Sequence, residues 1–148
     1  MQLLIAFLHH LAVLTVLASS LTCVLLLRQS FDLVTARRLG RIDMINGIAA
    51  TLVLVVGLIR VAYLEKGTDY YFHNGPFIAK LALYGLASVL SLVPTLEIMR
   101  WRAFLKQGQL PAVLPQKLVR MRAVAYGQLA CVIGMMVFAA LAARGIDW

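Results

Sequence analysis

Four long apolar stretches cover most of this chain, at residues 3–27, 44–63, 77–99 and 123–143. A helix needs ~20 apolar residues to cross a hydrocarbon core about 30 Å thick, and each stretch is long enough. Their apolar residues are continuous and do not alternate with polar ones, which favours helices over the strands of a barrel. The sequence therefore predicts an all-α membrane protein. We expect an antiparallel four-transmembrane-helix bundle that forms a single domain over residues 1–148.

Composition and charge support a membrane location and argue against nucleic acid as a partner. Hydrophobic residues make up 62% of the chain and charged residues 14%, against ~45–50% and ~25% in soluble domains. Of the 14 Lys and Arg residues, ten fall in the first and third connections: Arg28, Arg37, Arg38, Arg41, Arg100, Arg102, Lys106, Lys117, Arg120 and Arg122. The positive-inside rule places both connections in the cytoplasm. Both termini are then predicted to lie outside.

Small and polar residues recur at helical spacing on every span, which is typical of helix interfaces in lipid. Each span has one predicted inward face. The first span has Ala12, Thr15, Ser19, Thr22 and Cys23, and the second has Asn46, Ala50, Val53, Gly57 and Arg60. The third has Lys80, Tyr84, Ala87, Ser91 and Pro94, and the fourth has Gln128, Cys131, Met135, Ala139 and Ala142. On a helical wheel His9 lies beside the first of these faces, whereas His10 points nearly opposite. These faces predict which sides of the four helices pack together.

Ionisable residues inside membrane spans are costly, so each one is a candidate functional residue. In the predicted outer half these are His9, Arg60, Tyr63 and Lys80, with Tyr71 in the connection above them. Arg60 and Lys80 together would form a pocket for carboxylates or phosphates. The alternative is that each long basic side chain reaches the interface independently.

His9 suggests a haem site, because a neutral imidazole in an apolar bundle is a natural axial ligand for iron. Arg60 and Lys80 would then hold the haem propionates, helped by Tyr63 and Tyr71. No second histidine lies in a facing span. The alternative is that His9 is a hydrogen-bonded packing residue.

A second polar group, in the predicted inner half, consists of Asp43, Asn46, Glu97 and Gln128. We interpret it as structural: Asp43 would cap the second helix, and Glu97 would pair with Arg100 at i, i+3. A proton path from Asp43 through Asn46 and Gln128 is the competing hypothesis.

Several motifs resemble those of a bacterial family of small four-helix membrane proteins whose function is not known. The stretches that carry the resemblance are R-I-D-M-I-N-G-I-A-A at 41–50, G-L-I-R-V-A-Y-L-E-K-G at 57–67, Y-Y-F-H-N-G-P-F at 70–77, S-L-V-P-T at 91–95, R-W-R at 100–102 and A-R-G at 143–145. The resemblance implies a location in the bacterial inner membrane. The chain is also loosely similar to the HemJ-type protoporphyrinogen oxidases. That similarity implies roles for a first-span histidine, His9 or His10, and for Lys80.

Two functional hypotheses follow from these residues. The first is a bundle that binds haem b or a related porphyrin in a redox role, with His9 as the metal ligand. The second is a non-catalytic accessory or assembly subunit that binds a lipid, a quinone or a partner helix, or that forms a homo-oligomer. An anion or drug transporter is less favoured because the chain has no internal repeat. Whether the protein is an enzyme stays open.

Overall fold

The computed structural model describes residues 2–64 and 73–145, and in these ranges the chain is built from four long helices. They are α1 (Gln2–Leu26), α2 (Leu33–Ile59), α3 (Gly75–Lys106) and α4 (Pro115–Ala143), and α2 continues into a π-helical turn at Arg60–Leu64. By length and composition all four are able to cross a membrane. The predicted all-α bundle of four membrane helices is confirmed.

The start of α2 differs from the sequence prediction. Asp32 is the N-cap, and its carboxylate accepts a hydrogen bond of 2.7 Å from the Thr35 backbone N–H. The first turns of the helix are then held by the fully buried side chains of Ala36 and Leu39. The prediction that Asp43 caps this helix is wrong, because Asp32 supplies the capping oxygen eleven residues earlier in the chain. Asp43 is consequently an interior helical residue.

The helices form a ring in the order α1, α2, α3, α4. The α1–α2 and α3–α4 pairs make the most extensive contacts, and α1–α4 and α2–α3 make smaller ones. The backbones of the diagonal pairs are not in contact within the described ranges. Every residue of the four predicted inward faces is at least partly buried, which confirms those faces. Small residues allow the close approach of α3 and α4, since a Cβ on Gly134 would lie 2.9 Å from Cδ1 of Leu83.

The packed core lies at the end of the bundle that carries the 27–32 and 107–114 connections, which we call the basic end. Its buried side chains are Val24, Leu26, Leu27, Ala36, Leu39, Ile98, Trp101, Met121 and Ala125. The Phe31 ring packs edge-on against Trp101 at 5.1 Å. Arg122 donates a 3.0 Å hydrogen bond through Nε to the carbonyl of Leu27, which satisfies a carbonyl at the end of α1. Beyond this core the helices leave room between them.

Candidate functional site

A half-open cavity of about 60 Å³, with both polar and apolar side chains on its wall, lies between α2, α3 and α4, next to the packed core. Val16 is its one lining residue from α1. The cavity is lined by Val16, Asp43, Asn46, Gly47, Ala50, Tyr84, Ala87, Ser88, Ser91, Thr95, Gln128, Val132 and Met135. One carboxyl group, two amides and four hydroxyls are thus gathered inside a helical bundle whose outer surface is apolar.

Asp43 contributes the carboxyl group of the cavity. Its Oδ1 accepts a 2.8 Å hydrogen bond from the hydroxyl of Thr95 on α3. Arg102, also on α3, lies close enough to interact with this carboxyl group electrostatically, and so does the thiol of Cys23 on α1. Within the described part of the chain, no Lys, Arg or His nitrogen lies within ion-pair distance of Asp43. The carboxyl group therefore depends on a hydroxyl for its direct contact.

Asn46 connects the cavity to α1. Its Oδ1 lies 2.8 Å from the Ser19 hydroxyl and 3.3 Å from the Ser20 hydroxyl. Both serines are buried, so this contact joins α1 to α2 inside the bundle. Buried hydrogen bonds of this kind hold membrane helices together where apolar burial gives no driving force.

Gln128 brings α4 into the site. The residue is only 9% exposed, it lines the cavity, and its amide makes no hydrogen bond to another residue of the described ranges. The amide atoms are not fully buried. Water or a ligand in the cavity would therefore supply the hydrogen bonds of the Gln128 amide.

Tyr84 closes the cavity on the side away from the basic end. Its hydroxyl donates a 3.0 Å hydrogen bond to the carbonyl of Ala50 on α2. The Thr95–Asp43 and Tyr84–Ala50 contacts together show that α2 and α3 run antiparallel. Asp43 and Ala50 are about 10 Å apart along the helix at 1.5 Å per residue. The cavity therefore extends about two turns from Asp43 towards the middle of the bundle.

The residues predicted to bind haem lie at a different level from this cavity. His9 is half-buried and packs on α2, where a Cβ placed on Gly57 would lie 3.2 Å from His9 Cε1. His10 is exposed, and its Nδ1 lies 2.6 Å from the carbonyl of Ala6 on its own helix. Gly57 is about 10 Å along α2 from Ala50, the cavity residue of α2 nearest to it, at the helical rise. His9 thus faces inward as predicted, but about two turns away from the cavity.

Arg60 and Lys80 are both half-buried near the His9 level. Arg60 begins the π-helical turn at the end of α2, and the Lys80 Nζ lies 4.5 Å from the centre of the Phe77 ring. Lys80 and His9 belong to α3 and α1, the diagonal pair of the ring, whose backbones are not in contact in the described ranges. The two residues therefore approach the interior from opposite corners.

Of the two predicted tyrosines, Tyr63 belongs to the described residues. Tyr63 is 83% exposed, and Tyr71 lies outside the described residues. Glu97, predicted to be structural, points away from the cavity and forms ion pairs of 3.2 Å with Arg100 and 3.0 Å with Lys117. The predicted Glu97–Arg100 pair is confirmed. Of the second polar group, Asp43, Asn46 and Gln128 share the cavity and Glu97 does not.

The cavity also contains hydroxyls that the sequence analysis did not treat as part of a site. Ser88, Ser91 and Thr95 on α3 line it beside Tyr84. Their spacing by three to four residues is visible in the sequence, but the pattern equally fits helix packing. The signal that could have identified them is the concentration of four hydroxyl residues on one face of a span.

Comparison with known proteins agrees with the architecture. The family described as "Predicted membrane protein (DUF2214)" matches residues 1–147. The chain belongs to this family. No functionally curated protein and no solved structure matches the chain. The family match confirms the resemblance to a membrane family of unknown function, whereas the resemblance to the HemJ-type oxidases stays a prediction.

Proposed function

We propose that the protein is a non-catalytic membrane bundle whose function depends on binding a small polar ligand in the cavity between α2, α3 and α4. The observation that carries this proposal is the Gln128 amide, which lines the cavity and makes no hydrogen bond within the described ranges. A ligand that accepts or donates a hydrogen bond there would satisfy the amide inside the bundle.

The size of the cavity limits the class of ligand. A buried water needs at least ~10–15 Å³ of such space, so about 60 Å³ has room for a few water molecules or a small ion with water. A porphyrin or a quinone does not fit this volume. The carboxyl, amide and hydroxyl groups on its wall would bind a polar or cationic species by hydrogen bonds, beside the apolar part of the lining.

The test compares Gln128→Leu with Gln116→Leu in purified, detergent-solubilised protein. Both changes are on α4, but Gln116 is exposed. The thermal unfolding midpoint is measured across a panel of chloride salts, pH values and small neutral solutes. A ligand that binds only the folded state raises the midpoint with its concentration. We expect such a dependence in the original chain and in Gln116→Leu, and its loss in Gln128→Leu.

The packing alternative predicts the opposite behaviour. If Gln128 only fills space, Gln128→Leu should stabilise the protein, since the buried amide is removed, and no member of the panel should act differently on the two variants. That result would overturn the proposal.

Haem binding at His9 is a second proposal. It is favoured by the inward orientation of His9 and by the half-buried cations Arg60 and Lys80 near the same level. Because His9 packs on Gly57, a porphyrin would have to enter beside this contact. A Soret band should co-purify with the protein, vanish in His9→Ala and persist in the matched change His10→Ala. Colourless protein from haem-replete cells would refute it.

The proposed location is the bacterial inner membrane, with the basic end in the cytoplasm and both termini periplasmic. The distribution of Lys and Arg supports this orientation. A C-terminal reporter that is active only in the periplasm should be active on this chain. Association with a second copy or a partner membrane protein is compatible with the same orientation, and crosslinking in native membranes would reveal it.

A further inference from the structure

We propose that the Asp43 carboxyl group exchanges a proton for a monovalent alkali cation inside the cavity. This inference rests on the proposed function, because it names the ligand class of the same site. In the exchange, the carboxylic acid O–H bond breaks, the proton leaves to water, and the carboxylate binds the cation. One positive charge enters for each one that leaves, so the net charge of the site is the same in both states.

Charge balance is the first argument. A carboxylate inside a membrane span is costly unless its charge is compensated. In the described ranges, the direct partner of Asp43 is the neutral hydroxyl of Thr95, and ion pairing instead involves Glu97 at the surface. Arg102 acts on this carboxyl group only from beyond ion-pair distance. A proton or a bound cation would compensate the carboxylate in direct contact, and a cavity lies beside the carboxyl group to hold the cation.

The ligand atoms are the second argument. The hydroxyl of Thr95 donates to Asp43, and that of Ser91 donates to the carbonyl of Ser88. A hydroxyl that donates its proton keeps two lone pairs, which can coordinate a cation. The Gln128 amide, on the cavity wall, adds a carbonyl oxygen that makes no hydrogen bond within the described residues. Carboxylate, hydroxyl, amide carbonyl and water oxygens are the ligands of hard cations.

The same set of groups argues against a transition metal. The described ranges contain no cluster of three or more His, Cys, Asp or Glu side chains. Soft or imidazole-binding metals need such ligands. A single carboxylate surrounded by neutral oxygens instead matches the single charge of an alkali ion.

The groups that could influence the titration of Asp43 come from two neighbouring helices. Cys23 of α1 and Arg102 of α3 interact with it electrostatically. The cavity residues supplied by α4 are Gln128, Val132 and Met135, none of which is ionisable in the working pH range. A proton released when the cation binds is therefore expected to come from Asp43, and a Cys23→Ser variant checks the thiol.

The experiment uses the full-length protein in mild detergent, with NaCl replacing choline chloride at constant ionic strength. Proton release is followed with a pH-indicator dye in weakly buffered solution. The carboxylic acid C=O stretching band is followed by infrared difference spectroscopy. We expect Na⁺ to release about one proton per chain and to reduce that band. Because proton and cation compete for one group, the apparent Kd for Na⁺ should rise by about tenfold for each unit fall in pH where the acid form dominates.

Three variants make the result specific. Asp43→Asn, which keeps an acceptor for Thr95, should lose both signals. Gln128→Leu should weaken Na⁺ binding on the order of tenfold, the effect of losing one hydrogen-bond-strength contact, while the proton count per bound ion is unchanged. Glu97→Gln removes a carboxylate outside the cavity and should behave as the original chain.

The outcomes separate this inference from the proposed function. If Na⁺ binds without proton release, or if Asp43→Asn keeps both signals, the exchange at Asp43 is overturned. If the Gln128-dependent stabilisation is found with other solutes but Na⁺ has no effect, the cavity is a ligand site and the cation proposal alone fails. If Na⁺ has no effect and no other solute gives a stabilisation that depends on Gln128, both proposals fail.

Discussion

Replacing Thr95 with valine removes the hydroxyl that donates a 2.8 Å hydrogen bond to Asp43, with almost no change in side-chain shape. This bond joins α3 to α2 inside the bundle and is the direct partner of the cavity carboxyl group within the described residues. Interhelical hydrogen bonds in membrane proteins contribute about 0.6 kcal/mol on average and up to about 1.7 kcal/mol. Removing the donor also leaves the Asp43 carboxyl oxygen without its direct partner, which places the cost at the strong end of this range. We therefore expect Thr95→Val to cost about 1–1.7 kcal/mol of folding free energy.

The matched control is Thr51→Val on α2. Thr51 is exposed, and its hydroxyl bonds only to the Gly47 carbonyl of its own helix at 2.9 Å. The same chemical change there should alter the folding free energy by no more than ±0.5 kcal/mol, as is usual for surface substitutions. A double-mutant cycle with Asp43→Ala then isolates the Thr95–Asp43 coupling.

The assay is reversible unfolding of the purified protein in mixed micelles of mild detergent and SDS, followed by circular dichroism. Equal effects of Thr95→Val and Thr51→Val would refute the reasoning, and so would a coupling energy near zero in the cycle. Either result would mean that the Thr95 hydroxyl does not hold Asp43 in the folded protein in solution.

Two further predictions concern the fold. Gly134→Ala should be less stable than Gly85→Ala. Both variants gain helix propensity of up to about 1 kcal/mol. A Cβ at Gly134, however, would lie 2.9 Å from Leu83 Cδ1, whereas a Cβ at Gly85 meets nothing within 4 Å. Equal midpoints in the mixed-micelle titration would contradict the close α3–α4 approach. Hydrogen bonds from Thr35 lower the pKa of the Asp32 carboxyl group. The contribution of this cap to the folding free energy should therefore be complete at neutral pH. It should decline as the pH falls below about 3.9, the ordinary pKa of aspartate. Asp32→Asn should keep the cap without this pH dependence, and equal pH profiles for the two proteins would show that the carboxylate form of the cap is not favoured.

The membrane fold could be predicted from local features of the sequence. Spans 3–27, 77–99 and 123–143 all lie within or close to the helices of the structure, because the length of an apolar run fixes whether it can cross a bilayer. The inward faces were predictable for a related reason: a period of 3.6 residues places the small and polar residues on one side of each helix.

The start of α2 could not be predicted in the same way. Residues 33–42 mix arginines with apolar residues, so their hydropathy does not resemble that of a span. Ala36 and Leu39 become helix core only because α1, α3 and α4 pack against them at the basic end. Tertiary burial thus extended the helix back to its Asp32 cap and placed Asp43 in its interior.

The sequence by itself determined that this protein lies in a membrane, how many helices it has and which side of each helix faces inward. These properties depend on residues that are close together in the chain. Only the tertiary structure decided which polar residues meet. Asp43, Thr95 and Gln128 lie on three helices, and their convergence in one cavity depends on how far each helix is shifted along the bundle axis relative to the others. Contacts such as Tyr84 with Ala50 and Ser19 with Asn46 fix these shifts. Periodicity within a span carries no information about them, because sliding one helix along another leaves the pattern of each unchanged.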